Sequence, residues 1–251
     1  RARAIRGVVQ GLERNVRGEM MEGLEKIEIA IDLLWLRPRQ VGGTEFYIRN
    51  LLDGFLKLDR DYQFVLMVSR DNAETFEKYE KDPRFRLLKT NVVSANIAGR
   101  ILWQYLFQNH VLRKNGLRKC FVPVYCRPIF NGGISYINVI HDLQAYHYPQ
   151  YHPLHEIAYS RLSWWLDSRL SKKIIAISEW VKSDILKKYK MSEEKIRVIY
   201  NPILIHAEEV KDFSVLEEKF GVRKKKYFYT VSQMIPHKNL VTLIRMMEII
   251  K

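Results

Sequence analysis

Residues 27–34 read IEIAIDLL and residues 44–58 read TEFYIRNLLDGFLKL, and these two runs decide the fold. The first run is short and apolar, as expected of a buried strand, whereas the second repeats apolar residues at helical spacing. Pro38 and the pair Gly42-Gly43 lie between them and mark a loop. A strand followed by an amphipathic helix is the repeating unit of α/β proteins, so the sequence predicts that class.

The same alternation of strand and helix continues along the chain. Strands of nearly continuous Ile, Val and Leu character are predicted at residues 64–68, 85–88, 119–124, 136–140, 173–177 and 196–199. Helices are predicted from near residue 71 and at residues 99–112, 154–170 and 179–189, the last with Ser178 as its N-cap. Strands that are buried on both sides are typical of parallel sheets. We therefore expect a Rossmann-like parallel sheet with helices on both faces.

This pattern also predicts the domain organisation. A first β-α unit of a second domain is expected near the end of the chain, with a strand at residues 227–231 and a helix at residues 238–251. A single unit of this kind cannot bury its own faces, so it either packs on the first domain or belongs to a truncated second Rossmann-like domain. We favour truncation. The predicted segments are an N-terminal extension of unknown role (1–25), a first Rossmann-like domain (26–205), a charged linker (206–226) and the β-α unit (227–251).

Composition excludes several classes of protein. Hydrophobic residues make up 47% of the chain and charged residues 28%, which is typical of a globular protein. No stretch approaches the roughly eighteen consecutive apolar residues of a transmembrane helix, and no secretion signal is visible. The two cysteines, Cys120 and Cys126, have no partner at metal-ligand spacing. We therefore expect no metal site and a location in the reducing cytoplasm.

The formal net charge of +14 requires an explanation. Nucleic acid, an anionic membrane surface and a phosphate-rich small molecule are the partners that such a charge favours. The basic residues are spread over the chain, and no zinc finger, helix-turn-helix or ribonucleoprotein motif accompanies them, which makes nucleic acid the weakest choice. We expect a solvated basic surface that can contact lipid head groups.

Gly42-Gly43 lies where the first strand leads into the first helix. Paired glycines let a ligand approach the backbone closely, and the free N–H groups of a helix N-terminus favour a phosphate. The motif is therefore a candidate phosphate-binding loop. The alternative is a tight turn that requires glycine only for its backbone angles.

His141-Asp142 directly follows the predicted strand at residues 136–140. Ligands of open parallel sheets bind at the carboxyl ends of the strands, where a His-Asp pair can form hydrogen bonds and transfer protons. The alternative is that Asp142 caps the next turn and His141 is a packing residue. Three more histidines follow without the spacing of a zinc site: His147, His152 and His155.

Lys238 is part of the segment Pro236-His237-Lys238-Asn239, at the predicted start of the last helix. A lysine at this end opposes the helix dipole, so helix stability does not explain its position. A bound diphosphate does, because the helix terminus and the ammonium group then attract the same anion. The alternative is an ordinary exposed lysine in a loop.

The order of these motifs resembles a known family. The similarity is to the retaining GT-B glycosyltransferases of family four, and it extends from residue 27 to the last residue. The first predicted domain (26–205) resembles the acceptor-side domain of that family in Gly42-Gly43-Thr44-Glu45, in Arg100-Ile101-Leu102-Trp103-Gln104 and in Val139-Ile140-His141-Asp142-Leu143 followed by Tyr148-Pro149. The series continues with residues 174–179, 195–202 and 236–240.

The resemblance implies two Rossmann-like domains that face each other across a cleft. It implies that the acceptor binds mainly to the first domain and a nucleotide-sugar donor mainly to the second. It further implies transfer of the sugar with retention of anomeric configuration, without a metal and without a cofactor besides the nucleotide sugar.

By the same resemblance, the cleft residues have expected roles. His141 and Asp142 would lie beside the transferred sugar, where His141 polarises a hydroxyl or stabilises the developing positive charge. Lys238 would hold the diphosphate and neutralise it as it departs. The other candidates are Gly42 and Gly43 near the donor diphosphate and, on the acceptor side, Thr44, Glu45 and Tyr146.

Two features depart from the family pattern. Ser232 and Gln233 stand where the family has glycine followed by a small residue or arginine, and the acidic segment that holds the donor ribose is expected beyond Lys251. We favour a glycosyltransferase that builds a glycan or a glycolipid in the cytoplasm, peripherally on the inner face of the membrane. The alternatives are a catalytically incomplete acceptor-binding or regulatory module and, from charge alone, a nucleic-acid-binding protein.

Overall fold

The computed structural model describes residues 27–59, 62–203, 212–232 and 234–250. The predicted N-terminal extension lies outside the described residues, and so do Gln233 and the first part of the predicted linker.

A seven-stranded parallel sheet forms the centre of the described chain, in the spatial order β3-β2-β1-β4-β5-β6-β7. The chain moves outward from β1 to β3 and then returns to the other side of β1, which is the doubly wound arrangement. The predicted Rossmann-like parallel sheet is therefore confirmed. The strands are β1 (Ile27–Asp32), β2 (Tyr62–Val68), β3 (Phe85–Lys89), β4 (Lys119–Val122), β5 (Ser135–Ile140), β6 (Lys173–Ala176) and β7 (Ile196–Val198).

Helices connect the strands. The α-helices are α1 (Gly43–Phe55), α2 (Ile97–Trp103), α3 (Asn109–Lys114), α4 (Gln144–His147), α5 (Leu154–Leu170), α6 (Glu179–Tyr189), α7 (Ser214–Phe220) and α8 (Leu240–Ile249). A π-helical turn (Gln104–Gln108) joins α2 to α3. Four 3₁₀ segments complete the described helical structure: Ala73–Lys81, Pro149–Tyr151, Glu193–Lys195 and Pro236–Lys238.

One face of the sheet is covered by α1 and by the 3₁₀ segment Ala73–Lys81. Because side chains alternate along a strand, β1 contributes Ile29 and Ile31 to this face. Phe64 of β2 stacks between Phe55 of α1 and Phe85 of β3, with ring centroids 4.6 and 4.9 Å apart. Burial of these rings, about 1.5–3 kcal/mol for each large apolar side chain, fixes α1 across the strands.

The other face is covered by the α2–α3 region, α5 and α6. Trp164 of α5 is almost fully buried and packs with the strand residues Ile140 and Ile174. Ser178 precedes helix α6, and its hydroxyl accepts a hydrogen bond from the Val181 N–H at 3.2 Å, so the predicted N-cap is confirmed. No helix in the described ranges combines the length and the apolar character needed to cross a bilayer.

The strand predicted at residues 227–231 is wrong for the described structure. This stretch is irregular, and Tyr227, Phe228, Tyr229 and Val231 remain 42–81% exposed. A strand requires a neighbour for its backbone hydrogen bonds, and the described sheet ends at β7. The predicted β-α unit therefore consists of a helix alone, α8, which starts two residues later than predicted.

Helix α5 carries a buried carboxyl. Asp167 is inaccessible to solvent. Burial raises the pKa of Asp167 to about 8, although the charges of Arg127 and Lys195 act in the opposite direction. At neutral pH the group is therefore mostly protonated in the folded protein, whereas the unfolded chain releases the proton near pH 4.

This difference predicts a stability that depends on pH. Between about pH 4 and pH 8 the folded state binds more protons than the unfolded state, so stability falls as the pH rises, by up to about 1.4 kcal/mol per unit. Asp167→Asn removes this titration. We expect the unfolding free energy of the variant, relative to the original chain, to increase from pH 5 to pH 8 in urea titrations. A constant difference would contradict the prediction, and the exposed Asp59→Asn serves as the control.

Candidate functional site

The strand order creates a crevice at the carboxyl edge of the sheet. The chain leaves β1 in one direction and returns to β4 on its other side, so the connections after these two strands diverge. Ligands of doubly wound proteins bind at such a switch point. β1 ends at Asp32, β4 at Val122 and β5 at Ile140, which places the segments after them around one opening.

The loop after β1 ends at two glycines that differ in their structural role. Gly42 has φ 61° and ψ −131°, a conformation that a residue with a side chain adopts only at a cost. Gly43 has no positive φ, and a Cβ placed on it would meet nothing within 4 Å. The backbone angles of the turn thus explain why residue 42 is glycine, but they do not explain why residue 43 is glycine. Gly43 leaves open space at the N-terminus of α1, where backbone N–H groups can bind an anion.

Thr44 and Glu45 are occupied by contacts within this loop. The Thr44 hydroxyl donates to the Val41 carbonyl at 2.9 Å. One oxygen of Glu45 accepts the Arg39 N–H at 2.7 Å, and the other accepts from Arg49 at 2.8 Å. Both side chains therefore hold the loop in shape before any ligand binds.

His141 lies where β5 ends and is packed against α1. Its ring meets the Tyr47 ring edge-on, with centroids 4.9 Å apart. The Nε2 atom lies 2.8 Å from the Pro123 carbonyl oxygen, and because a carbonyl only accepts, Nε2 must carry the proton. Burial lowers the pKa of His141, so the ring is neutral at physiological pH. Its Nδ1 lone pair makes no hydrogen bond to the described chain.

Asp142 and Tyr146 have structural contacts. The Asp142 carboxylate accepts the Gln144 N–H at 3.1 Å, which is the turn-capping contact considered as the alternative for this residue. The Tyr146 ring stacks on Trp164 and lies below the Arg161 guanidinium and the Lys188 ammonium, 4.5 and 5.0 Å from its centroid. The structure therefore places Tyr146 in a packed cluster rather than in the open crevice.

Lys238 is brought to the carboxyl edge by its neighbour in the chain. His237 stacks on Tyr148, which follows α4, with centroids 5.5 Å apart and ring planes at 15°. Lys238 itself is exposed and ends the 3₁₀ segment Pro236–Lys238, two residues before the first residue of α8. The three predicted motifs are thus connected to one edge of the sheet: Gly42-Gly43 after β1, His141 after β5, and Lys238 through the contact with Tyr148.

Sequence reasoning missed a buried polar network at the same edge. Asp32, at the end of β1, is inaccessible to solvent, and one of its carboxylate oxygens accepts from the Gln104 and Gln108 amides at 2.9 and 3.0 Å. The Gln104 side-chain oxygen in turn accepts from Arg100 at 3.1 Å and lies 3.0 Å from the Cys126 sulfur. Burial raises the pKa of Asp32, while these hydrogen bonds and the Arg100 charge oppose the shift.

Two sequence signals could have indicated this network. Asp32 is a charged residue between apolar ones, at the end of a strand that is otherwise buried. Gln104 and Gln108 are four residues apart, so they lie on the same side of a helix. Because buried polar groups need hydrogen-bond partners, a buried Asp32 carboxylate and two glutamines on one side of a helix are candidates to bond each other.

These residues provide groups that attract an anion and a neutral acceptor atom, all on segments connected to the carboxyl edge of the sheet. Gly43 offers backbone N–H groups, Lys238 offers a positive charge, and His141 offers an unprotonated nitrogen. No three side chains of the His, Cys, Asp and Glu types lie together as metal ligands in the described ranges.

Comparison with protein families gives an independent result. Residues 41–205, more than half of the chain, match the family model described as Glycosyltransferase Family 4. The matched region contains the glycine loop, the Asp32 partners Gln104 and Gln108, and His141. Lys238 lies outside it.

Two known proteins are similar to parts of the chain. The O-antigen chain mannosyltransferase RfbU of Salmonella typhimurium is 30% identical over 106 residues, which are 42% of this chain and 27% of RfbU. A solved structure, the apo form of the lipopolysaccharide outer core galactosyltransferase WaaB, matches 72% of this chain and 47% of its own, with 14% identity and a TM-score of 0.42. The chain thus spans about a quarter of the curated relative and about half of the solved one.

Proposed function

Because this chain belongs to glycosyltransferase family 4, we propose that it acts in the transfer of a sugar from a nucleotide-sugar donor to a glycan or a lipid-linked acceptor, with retention of anomeric configuration. The observation that carries the proposal is the connection of Gly43, His141 and Lys238 to the carboxyl edge of one parallel sheet. The proposed reaction requires no cofactor besides the nucleotide sugar.

The donor diphosphate is proposed to lie between Gly43 and Lys238. A backbone without a side chain at Gly43 admits a phosphate to the amide groups of α1, and the Lys238 ammonium supplies the opposite charge. As the bond between the sugar and the diphosphate breaks, negative charge accumulates on the leaving group. The same groups then stabilise the departing diphosphate more than the intact donor, which accelerates the reaction.

His141 is proposed to contact the transferred sugar. Its proton is held on Nε2 by the Pro123 carbonyl, so Nδ1 is available to accept a hydrogen bond from a sugar hydroxyl. A neutral ring in this position polarises that hydroxyl without adding a positive charge next to the positively charged transition state. Asp142 orients the turn that carries His141 through its bond to Gln144.

The acceptor is proposed to be a growing surface glycan, in keeping with the O-antigen chain named for the relative RfbU, and the sugar to be a hexose. We also propose peripheral attachment to the inner face of the membrane. The net charge of +14 supports this, as do the exposed apolar side chains Leu102, Leu106 and Phe107 of the α2–α3 region. Co-sedimentation with anionic vesicles, compared with neutral ones, tests the attachment.

The enzymatic proposal is tested with the protein extended by whatever residues follow Lys251, incubated with a panel of nucleotide sugars and a lipid-linked glycan. Release of nucleoside diphosphate should require one donor and increase with the acceptor. Lys238→Ala should weaken binding of that nucleoside diphosphate by roughly tenfold or more in calorimetry, because a charge-assisted hydrogen bond is lost. Lys187→Ala, an exposed lysine on α6, is the matched control. Equal affinities in both variants would contradict the role of Lys238.

A further inference from the structure

Arg100 is a buried cation that uses only one of its nitrogens. The residue is 8% exposed, and its Nη1 donates to the Gln104 side-chain oxygen at 3.1 Å and to the Cys126 sulfur at 3.3 Å. Its Nε is buried without a partner. Its Nη2 is not among the buried unpartnered atoms, and it makes no hydrogen bond to the described part of the chain. The edge formed by Nε and Nη2 is therefore unpartnered, although guanidinium donors are normally satisfied when buried.

The charge of Arg100 has no direct counterion. None of the ion pairs among the described residues includes Arg100, and the nearest compensating group in its network, the Asp32 carboxylate, is reached only through the Gln104 amide. A buried charge is expensive unless an opposite charge and hydrogen bonds accompany it. The protein supplies hydrogen bonds on one side of the guanidinium and leaves the Nε–Nη2 side without a hydrogen-bond acceptor.

The position of Arg100 separates it from the proposed donor site. Arg100 belongs to α2, whereas Gly43 begins α1, and these helices cover opposite faces of the sheet. The segment after β4 contacts both His141 and Arg100. The carbonyl of Pro123 in this segment holds His141, and the sulfur of Cys126 in the same segment accepts from Arg100. Arg100 and His141 are thus linked to the same segment through different residues of it.

We propose that the Nε–Nη2 edge of Arg100 binds an anionic group of the acceptor, a phosphate or a carboxylate. Two parallel N–H donors match two oxygens of either group, and this bidentate geometry is specific to arginine. The inference rests on the proposed function for the identity of the molecule that carries the anion. The Arg100 site would then select an acceptor that is either an anionic glycan or a glycan attached through phosphate to a lipid.

Calorimetric titration of the whole chain with inorganic phosphate, and separately with glucuronate, tests the site without any transfer reaction. Arg100→Gln should reduce the affinity for the preferred anion by roughly tenfold to a hundredfold. Arg100→Lys should recover only part of it, because lysine keeps the charge but not the two parallel donors. Phosphate and glucuronate distinguish the two sources of the anion. Arg113→Gln, an exposed arginine on α3, should leave the binding unchanged.

Two controls keep the result interpretable. Circular dichroism and melting temperature establish whether each variant is folded. If Arg100→Gln does not fold, the anion affinity of Arg100→Lys is compared with that of the original chain. Lys238→Ala should retain the binding that depends on Arg100, which separates this site from the donor site. Unchanged affinity for both anions in Arg100→Lys and Arg100→Gln would overturn the inference, as would loss of all phosphate binding in Lys238→Ala. Donor turnover in the extended protein tests the proposed function separately.

Discussion

Replacing His141 by alanine should lower kcat for sugar transfer by roughly 10²–10⁴-fold in the extended protein. The substitution removes the one nitrogen at the end of β5 that is both unprotonated and free of hydrogen bonds to the described chain. It also removes the ring that packs on Tyr47, so a structural effect must be distinguished from a chemical one. Steady-state kinetics at saturating donor, with the melting temperature measured in parallel, provide the primary data.

Two further variants make the result on His141 specific. His141→Phe keeps a ring against Tyr47 but has no acceptor nitrogen, and it should be as impaired as the alanine variant. His110→Ala replaces an exposed histidine of α3 and should have the kinetics of the original protein. Rates within threefold of the original in both His141 variants would show that His141 does not take part in catalysis.

Asp32→Ala should lower the free energy of unfolding by roughly 3–5 kcal/mol, since it breaks a buried charge network from one end. The carboxylate accepts the Leu34 N–H at 3.0 Å in addition to the two glutamine amides. Without it, three buried donors lose their acceptor and the Arg100 charge loses its compensation. Urea denaturation followed by circular dichroism measures the change.

Asp32→Asn tests whether acceptor oxygens, rather than volume, are what the site requires. One carboxylate oxygen accepts from the Leu34 N–H and the other from Gln104 and Gln108, so an amide nitrogen at either position would face a donor. This variant should therefore also be destabilised, by about 1–3 kcal/mol. Asp59→Ala, at an exposed position, should stay within about 0.5 kcal/mol of the original chain. A similarly small effect for Asp32→Ala would contradict the account of the network.

The elements of the sheet were predictable because their signals are local. The strand expected at residues 136–140 is observed at Ser135–Ile140, and the Ser178 cap predicted for α6 forms as expected. The location of His141 at the carboxyl edge was also predictable, because every strand of a parallel sheet ends at that edge. What these three features have in common is that neighbouring residues determine them.

Features that depend on distant partners were not predictable in the same way. Asp32 meets Gln104 and Gln108 across 72 and 76 residues, and only the strand order brings them together. At residues 227–231 the sequence predicted an element that is not observed. The segment has an apolar pattern typical of a strand, but no described strand lies beside it to pair with. Tyr146 is a third case, since its stacking on Trp164 depends on how α5 packs.

The π-helical turn Gln104–Gln108 lets the α2–α3 region hold one residue more than a regular helix would. A π-helical turn contains one residue more than an α-helical turn, because its hydrogen bonds connect residues five apart instead of four. One residue added to a regular α-helix rotates everything after it by roughly 100°, whereas the wider turn absorbs the extra residue and leaves α3 in phase with α2. Leu112 therefore lies in the core and Asn109 bonds Tyr136 despite the extra residue. The core should consequently tolerate the loss of one residue from this turn better than the loss of one residue from α2.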